Sequence, residues 1–154
     1  MARYLKTGMA AEAAAAQEAE VRAAVESILD EVAAGGDAAV RAFSEKFDDW
    51  SPASFKLTAS EIEACVAEMS DQDLEDIRYA QTQVRNFAAA QRNALADIEV
   101  ETMPGVTLGH KNIPVGAVGC YVPGGRYPMV ASAHMSVVTA RVAGVGRIAA
   151  CSPP

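Results

Sequence analysis

Histidine occurs only twice in this 154-residue chain and cysteine only three times. Cys65, Cys120 and Cys151 are odd in number and widely spaced, with no C-x-x-C pair and no histidine at finger spacing. Neither a disulfide framework nor a structural zinc cluster is encoded, and the three read as reduced, mostly buried thiols. Long apolar runs are also missing. None approaches the roughly 18 residues of a membrane span, so no membrane partner is expected. The N-terminus carries Arg3 and Lys6, but Glu12, Glu18 and Glu20 follow where a signal peptide needs an uncharged apolar stretch; a cytoplasmic location is the expectation. Positive charge is scarce, with 13 Lys and Arg against 20 Asp and Glu and a net charge of -7. Nucleic-acid binders concentrate cations on one face to displace counterions, so no nucleic acid partner is expected.

The apolar fraction of 51% with 21% charged residues is that of a globular chain, and the length is that of about one domain. The average hides an internal shift. Residues 1–100 hold 19 of the 20 acidic residues with three glycines and one proline, whereas residues 101–154 hold Glu101 alone against four cations, eight glycines and six prolines. Two organisational units are therefore expected: an N-terminal helical region over 1–100 and an α/β part over 101–154.

In the first region Val21, Val25, Ile28 and Val32 recur at steps of four, three and four, one face of a helix running from about Ala10 to Ala34 and stopped by Gly35-Gly36. Asp37 can cap a second helix carrying Val40, Phe43 and Phe47. Thr58-Ala-Ser-Glu61 has the pattern of a capping box, and Ser70-Asp-Gln-Asp73 is its variant with Asp in the fourth place. The second opens a long helix over about 71–96, whose Leu74, Ile77, Val84, Phe87, Ala88 and Leu95 form a stripe read as packing surface.

Beyond residue 100 the period changes. Val100 to Leu108 mixes short β-prone pieces with Pro104-Gly105. Val115 to Val122, bounded by Pro114 and Pro123, reads as a buried strand; Pro123 to Pro128 breaks it; Met129 to Val145 reads as a helix and Arg147 to Cys151 as a second strand. Strand, glycine-rich turn, helix, strand is a βαβ unit with parallel strands. A parallel sheet needs further strands and helices on both faces, so the chain is expected to be a truncated part of a larger α/β enzyme.

The turn over 123–128 carries the chemistry. Gly124 and Gly125 let backbone N–H groups approach an anion, the next helix offers its positive end, and the carboxyl ends of parallel strands are where open sheets bind cofactors. A phosphate or a dinucleotide suits that geometry, although a purely structural tight turn uses the same residues and G-x-G-x-x-G is not matched. Tyr121, at the end of the strand, can stack on a cofactor or simply close the sheet edge. His134 on the helix can contact a ligand or pack against the loop, and Arg126 can bind an anion or face solvent. His110, in a Gly-His-Lys loop, is read as solvent-facing.

Ile113-Pro-Val, Val118-Gly-Cys-Tyr-Val-Pro-Gly-Gly125, Ala140-Arg-Val-Ala-Gly144 and Cys151-Ser-Pro-Pro154, in that order, resemble the N-terminal portion of the histidinol dehydrogenase family. Gly35-Gly36-Asp37-Ala38-Ala39, Phe47-Asp48 and Glu61-Ile62-Glu63-Ala64 extend the resemblance upstream. It implies an NAD-dependent, zinc-containing dehydrogenase built from Rossmann-like domains, acting as a homodimer on a small-molecule primary alcohol that is oxidised through an aldehyde to an acid. The 101–154 part is then the first βαβ segment, itself incomplete, of an NAD-binding Rossmann-like domain. The resemblance implies that Tyr121 contacts NAD, beside Gly124 and Gly125, and that the zinc ligands and the catalytic acid-base pair lie beyond residue 154, so no metal ligand and no catalytic residue is assigned here. His134 stands where the histidinol-oxidising pattern has Leu, and Thr139 where it has Pro. These departures are similar to the branch that resembles sulfopropanediol 3-dehydrogenase, which oxidises dihydroxypropanesulfonate to sulfolactate. Arg126 and His134 would suit its anionic sulfonate as substrate-binding donors. Histidinol is the alternative substrate, and a non-catalytic helical interaction module is the alternative of another class.

Overall fold

The computed structural model describes residue 8 and residues 10–124 and 127–154. Two of the expected site residues, Gly125 and Arg126, lie outside the described residues. The chain forms two compact units, Met1–Phe55 and Lys56–Pro154.

The first unit is a helix pair, α1 (Ala11–Gly35) and α2 (Asp37–Asp48), packed on each other. Ile28, Val32, Ala39, Val40 and Phe43 are half-buried there, while Val21 and Val25 of the expected stripe stay exposed. The stop falls where expected: the Gly36 N–H bonds the Val32 carbonyl at 2.8 Å. Asp37 is not the cap of α2 but its first helical residue, with Gly36 as cap; its carboxylate still sits in the first turn, where the helix dipole favours it. After α2 the chain folds back onto Arg41, whose guanidinium lies 5.1 Å from the Phe55 ring centroid and donates to the carbonyls of Pro52 and Ala53.

The second unit starts with α3 (Ala59–Ala67) and α4 (Asp71–Ala94). Both helix starts follow the sequence pattern. Thr58 Oγ1 accepts the Glu61 N–H while the Glu61 carboxylate accepts the Thr58 N–H at 2.7 Å, a full capping box. Ser70 Oγ accepts the Asp73 N–H at 3.1 Å and donates to its carboxylate. Along α4, Leu74, Ile77 and Val84 are half-buried and Ala88 is buried, but Phe87 is 68% exposed and Leu95 is exposed. The stripe therefore packs along its first half and at Ala88 only.

Next come β1 (Ile98–Met103) and β2 (Val106–His110), an antiparallel hairpin with Val100 opposite Leu108 and a bulge between Glu101 and Met103. Ile98, Val100 and Leu108 are exposed. A clasp ties the hairpin ends: Asn112 gives its backbone N–H to Asp97 Oδ1 at 2.8 Å and its side-chain amide to the same oxygen at 3.1 Å, and His110 Nε2 lies 3.0 Å from the Ala96 carbonyl.

The βαβ unit is the part that positions the site. β3 (Ala117–Tyr121) and β4 (Arg147–Cys151) are parallel, with Tyr121 opposite Cys151. Between them runs one helical segment in three pieces, α5 (Val130–Ala133), a π turn (His134–Val138) and α6 (Thr139–Ala143). It ends at Gly144, whose φ of +91° is a left-handed cap that only glycine adopts without strain. The π turn packs on β3 and α4, and α6 packs on α4. Cys120, Val138, Val145 and Ala88 are the buried residues of this small core. Cys120 is thus the buried thiol, whereas Cys65 and Cys151 are exposed. Because side chains alternate along a strand, Cys120 turns to the covered face and Tyr121 and Cys151 to the other.

Candidate functional site

β3 and β4 end side by side, and the loops that leave their carboxyl ends meet. Each loop carries a proline two positions past its strand, Pro123 after Tyr121 and Pro153 after Cys151, and each therefore leaves the sheet at once. Between them and the start of the helical segment lies an open cleft of about 380 Å³, lined by Val122, Pro123, Gly124, Met129, Ala133 and Ser152 among others. It lies beyond the carboxyl ends of the two strands, where open parallel sheets bind ligands, and is at the low end of the size range of about 300 to 1,000 Å³ usual for ligand pockets.

Gly124 lines the cleft. A methyl group added there would sit 3.4 Å from Pro153 Cδ and 3.6 Å from Ser152 Oγ, in ordinary contact, so the glycine leaves open the space between the two loops. Tyr121 stands just before the cleft-lining Val122; it is 62% exposed, with its side chain on the uncovered face of the sheet beside Cys151. His134 is half-buried and opens the π turn; its neighbour Ala133 lines the cleft and His134 does not.

Two lining residues escape sequence reasoning. Ser152 presents a hydroxyl at the cleft, where it donates to the Pro153 carbonyl at 2.8 Å. The rule that ligands sit beyond the carboxyl ends of parallel strands, applied to β4 as well as β3, points to it. Ala133, the last residue of α5 before the π turn, is the other.

The lining is mostly apolar, which suits a flat ring flanked by backbone groups more than a bare phosphate. The two carboxyls held below their ordinary range belong elsewhere: Glu61 to the capping box of α3, through the N–H and hydroxyl of Thr58, and Asp97 to the hairpin clasp, through the N–H and amide of Asn112. Among the described residues no group of three His, Cys, Asp or Glu side chains is placed to hold a metal ion. Among the described residues, too, no helix is long and apolar enough to cross a membrane.

A parallel βαβ unit with a ligand-sized cleft at its strand ends defines an α/β protein. The profile of the family described as histidinol dehydrogenase matches residues 11–154, and the chain belongs to that family. A histidinol dehydrogenase homolog of Shouchella clausii is 52% identical over the whole chain, which spans 36% of that protein. The sulfopropanediol 3-dehydrogenase of Ruegeria pomeroyi is 48% identical over 135 residues, covering 88% of this chain and 31% of that one. The histidinol dehydrogenase of Yersinia pestis is 44% identical over 138 residues, 87% of this chain and 30% of the relative. The chain thus spans about a third of the length of the curated relatives it matches. The crystal structure of histidinol dehydrogenase from Elizabethkingia anophelis has the same fold, with a TM-score of 0.79 and 24% identity over 99% of this chain and 32% of that one.

Proposed function

We propose that the whole protein is an NAD-dependent dehydrogenase that oxidises a primary alcohol through an aldehyde to a carboxylate, and that the cleft at the ends of β3 and β4 takes part of the cofactor. The observation that carries this reading is the position of Tyr121 and Gly124 at the carboxyl end of the first of two parallel strands. NAD supplies the hydride acceptor for both oxidation steps. The chain's own residues bind and orient it: the Tyr121 ring offers a face for stacking, Gly124 leaves room for close backbone approach, and Ser152 offers a hydroxyl. The apolar wall of Val122, Met129 and Val130 keeps water from the bound ring.

The substrate we assign is an anionic diol, dihydroxypropanesulfonate, with histidinol as the alternative. Two features support the anion. Residues 101–154 carry Lys111, Arg126, Arg141 and Arg147 against one acid, and His134 can donate an N–H near the cleft. The match to a sulfopropanediol 3-dehydrogenase fits this choice, while matches to histidinol dehydrogenases keep the alternative in play. In this reading the zinc ligands and catalytic pair are supplied by other parts of the whole protein, which works in the cytoplasm as a homodimer. The exposed apolar residues Ile98, Val100 and Leu108 of the hairpin are suited to burial against further protein. NADH formation by the whole protein, followed with each alcohol in turn, tests the reading. Turnover of dihydroxypropanesulfonate with little of histidinol is the expected result; the reverse preference refutes the substrate, and no NAD reduction with either refutes the function.

A further inference from the structure

The helical segment over β3 is not a plain α-helix: a π turn over His134–Val138 interrupts it just after the cleft-lining Ala133. In an α-helix residues four apart lie one above the other, whereas a π turn holds one residue more. Val138, 6% exposed and packed in the core, fixes the segment beyond the turn. Reading back from Val138 through the π turn, the residue on the same side is five back, Ala133; through an unbroken α-helix it would be four back, His134. Ala133 lines the cleft and His134 does not, the arrangement that the π count gives.

Two hydroxyls bond back to carbonyls in and just before the wide turn. Ser136 Oγ donates to the Ser132 carbonyl at 2.7 Å, and Thr139 Oγ1 donates to the carbonyls of Met135 and, at 3.1 Å, Ser136. The Thr139 N–H also turns to the Ser136 carbonyl, three back, and does not follow the α pattern. Hydroxyls that bond carbonyls of the preceding turn loosen and bend helices, and here two of them do so within one turn.

We propose that Ser136 and Thr139 are positioning residues that hold the π register, and that this register keeps the small Ala133, and not the imidazole of His134, on the cofactor wall. The inference rests on the reading of the cleft as a cofactor site. Its consequence is a division of labour: the cleft stays wide enough for a ring, and His134 is left beside it for the substrate. With the hydroxyls removed, an α register brings His134 to the wall, where an imidazole replaces a methyl in a cleft of about 380 Å³.

The test uses the whole protein, with NAD+ binding followed by calorimetry and the helix seen by crystallography. The double variant Ser136→Ala with Thr139→Val is expected to bind NAD+ about tenfold more weakly, the effect of crowding a formed site by one side chain. Thr139→Ser, which keeps the hydroxyl, is expected to bind as the wild type does. Adding His134→Ala to the double variant is expected to restore binding, because a methyl group then returns to the wall; a merely structural role for the hydroxyls gives no such rescue. Unchanged affinity in the double variant, or a loss that His134→Ala fails to restore, overturns the proposal. Should the wild-type protein bind no NAD+, the cofactor reading falls, and the crystal structure of the double variant decides the register alone: an unbroken α-helix over 130–143 supports it and a retained π turn overturns it.

Discussion

Removing the Tyr121 ring probes the proposed cofactor contact beside the cleft with little risk to the fold, because the residue is 62% exposed and its side chain belongs to the uncovered face of the sheet. A buried tyrosine hides about 150 to 250 Å² in all, so roughly 120 Å² of this ring is open to a ligand. A flat cofactor ring covers one face of it, roughly half of that area. At about 25 cal/mol per Å² the stacking is then worth about 1.5 kcal/mol, and a hydrogen bond from the hydroxyl adds about 1 kcal/mol. Tyr121→Ala is expected to weaken NAD+ binding by about tenfold to a hundredfold, whereas Tyr121→Phe, which keeps the ring, loses only about fivefold. Calorimetric titration of the whole protein with NAD+ reads both, with metal content and melting temperature measured beside them and expected to stay unchanged. Wild-type affinity in Tyr121→Ala would refute the reasoning and leave Tyr121 as an aromatic that closes the sheet edge.

Other residues give independent checks. His134→Leu, which places the histidinol-type residue on the helix, is expected to lower kcat/KM for dihydroxypropanesulfonate about tenfold, the loss of one charge-assisted hydrogen bond; unchanged kinetics would make His134 a packing residue. Gly144→Ala places a side chain at a φ of +91° and is expected to destabilise the βαβ unit by about 1 to 2 kcal/mol in denaturant unfolding, and wild-type stability would contradict the cap assignment. The hairpin clasp is expected to respond to acid. Because the Asn112 N–H and amide hold the folded Asp97 carboxyl below its ordinary value, the clasp adds stability above the unfolded pKa of about 3.9 and loses it as pH falls through the lower folded value. An NMR titration in which Asp97 protonates at an ordinary carboxylate pH would refute the clasp.

What the sequence discloses follows the range of the forces involved. The starts of α3 and α4 are legible because Thr58 and Ser70 bond groups three residues away, and such pairs need nothing from the rest of the molecule. The parallel pairing of β3 and β4 is legible because two apolar runs flanked by proline, with a helix-length segment between, leave little other choice. The exposure of Phe87 is not, because a period of 3.6 marks a face without saying what covers it, and α4 meets partners only along part of its stripe. The π turn is hidden for a similar reason: Ser132, Ser136 and Thr139 are compatible with an α-helix, and the wider turn also answers to Val138 packing on β3 and α4. The place of Gly124 at the cleft is legible from the strand and its turn, but Ser152 joins it only when two loops some thirty residues apart meet.

The most direct measurement of the central claim is a crystal structure of the whole protein with NAD+ bound. The cofactor is expected against Tyr121, Gly124 and Ser152, with Ala133 on the wall beside it. NAD+ bound at another place, with the cleft between the ends of β3 and β4 left open, would contradict the account.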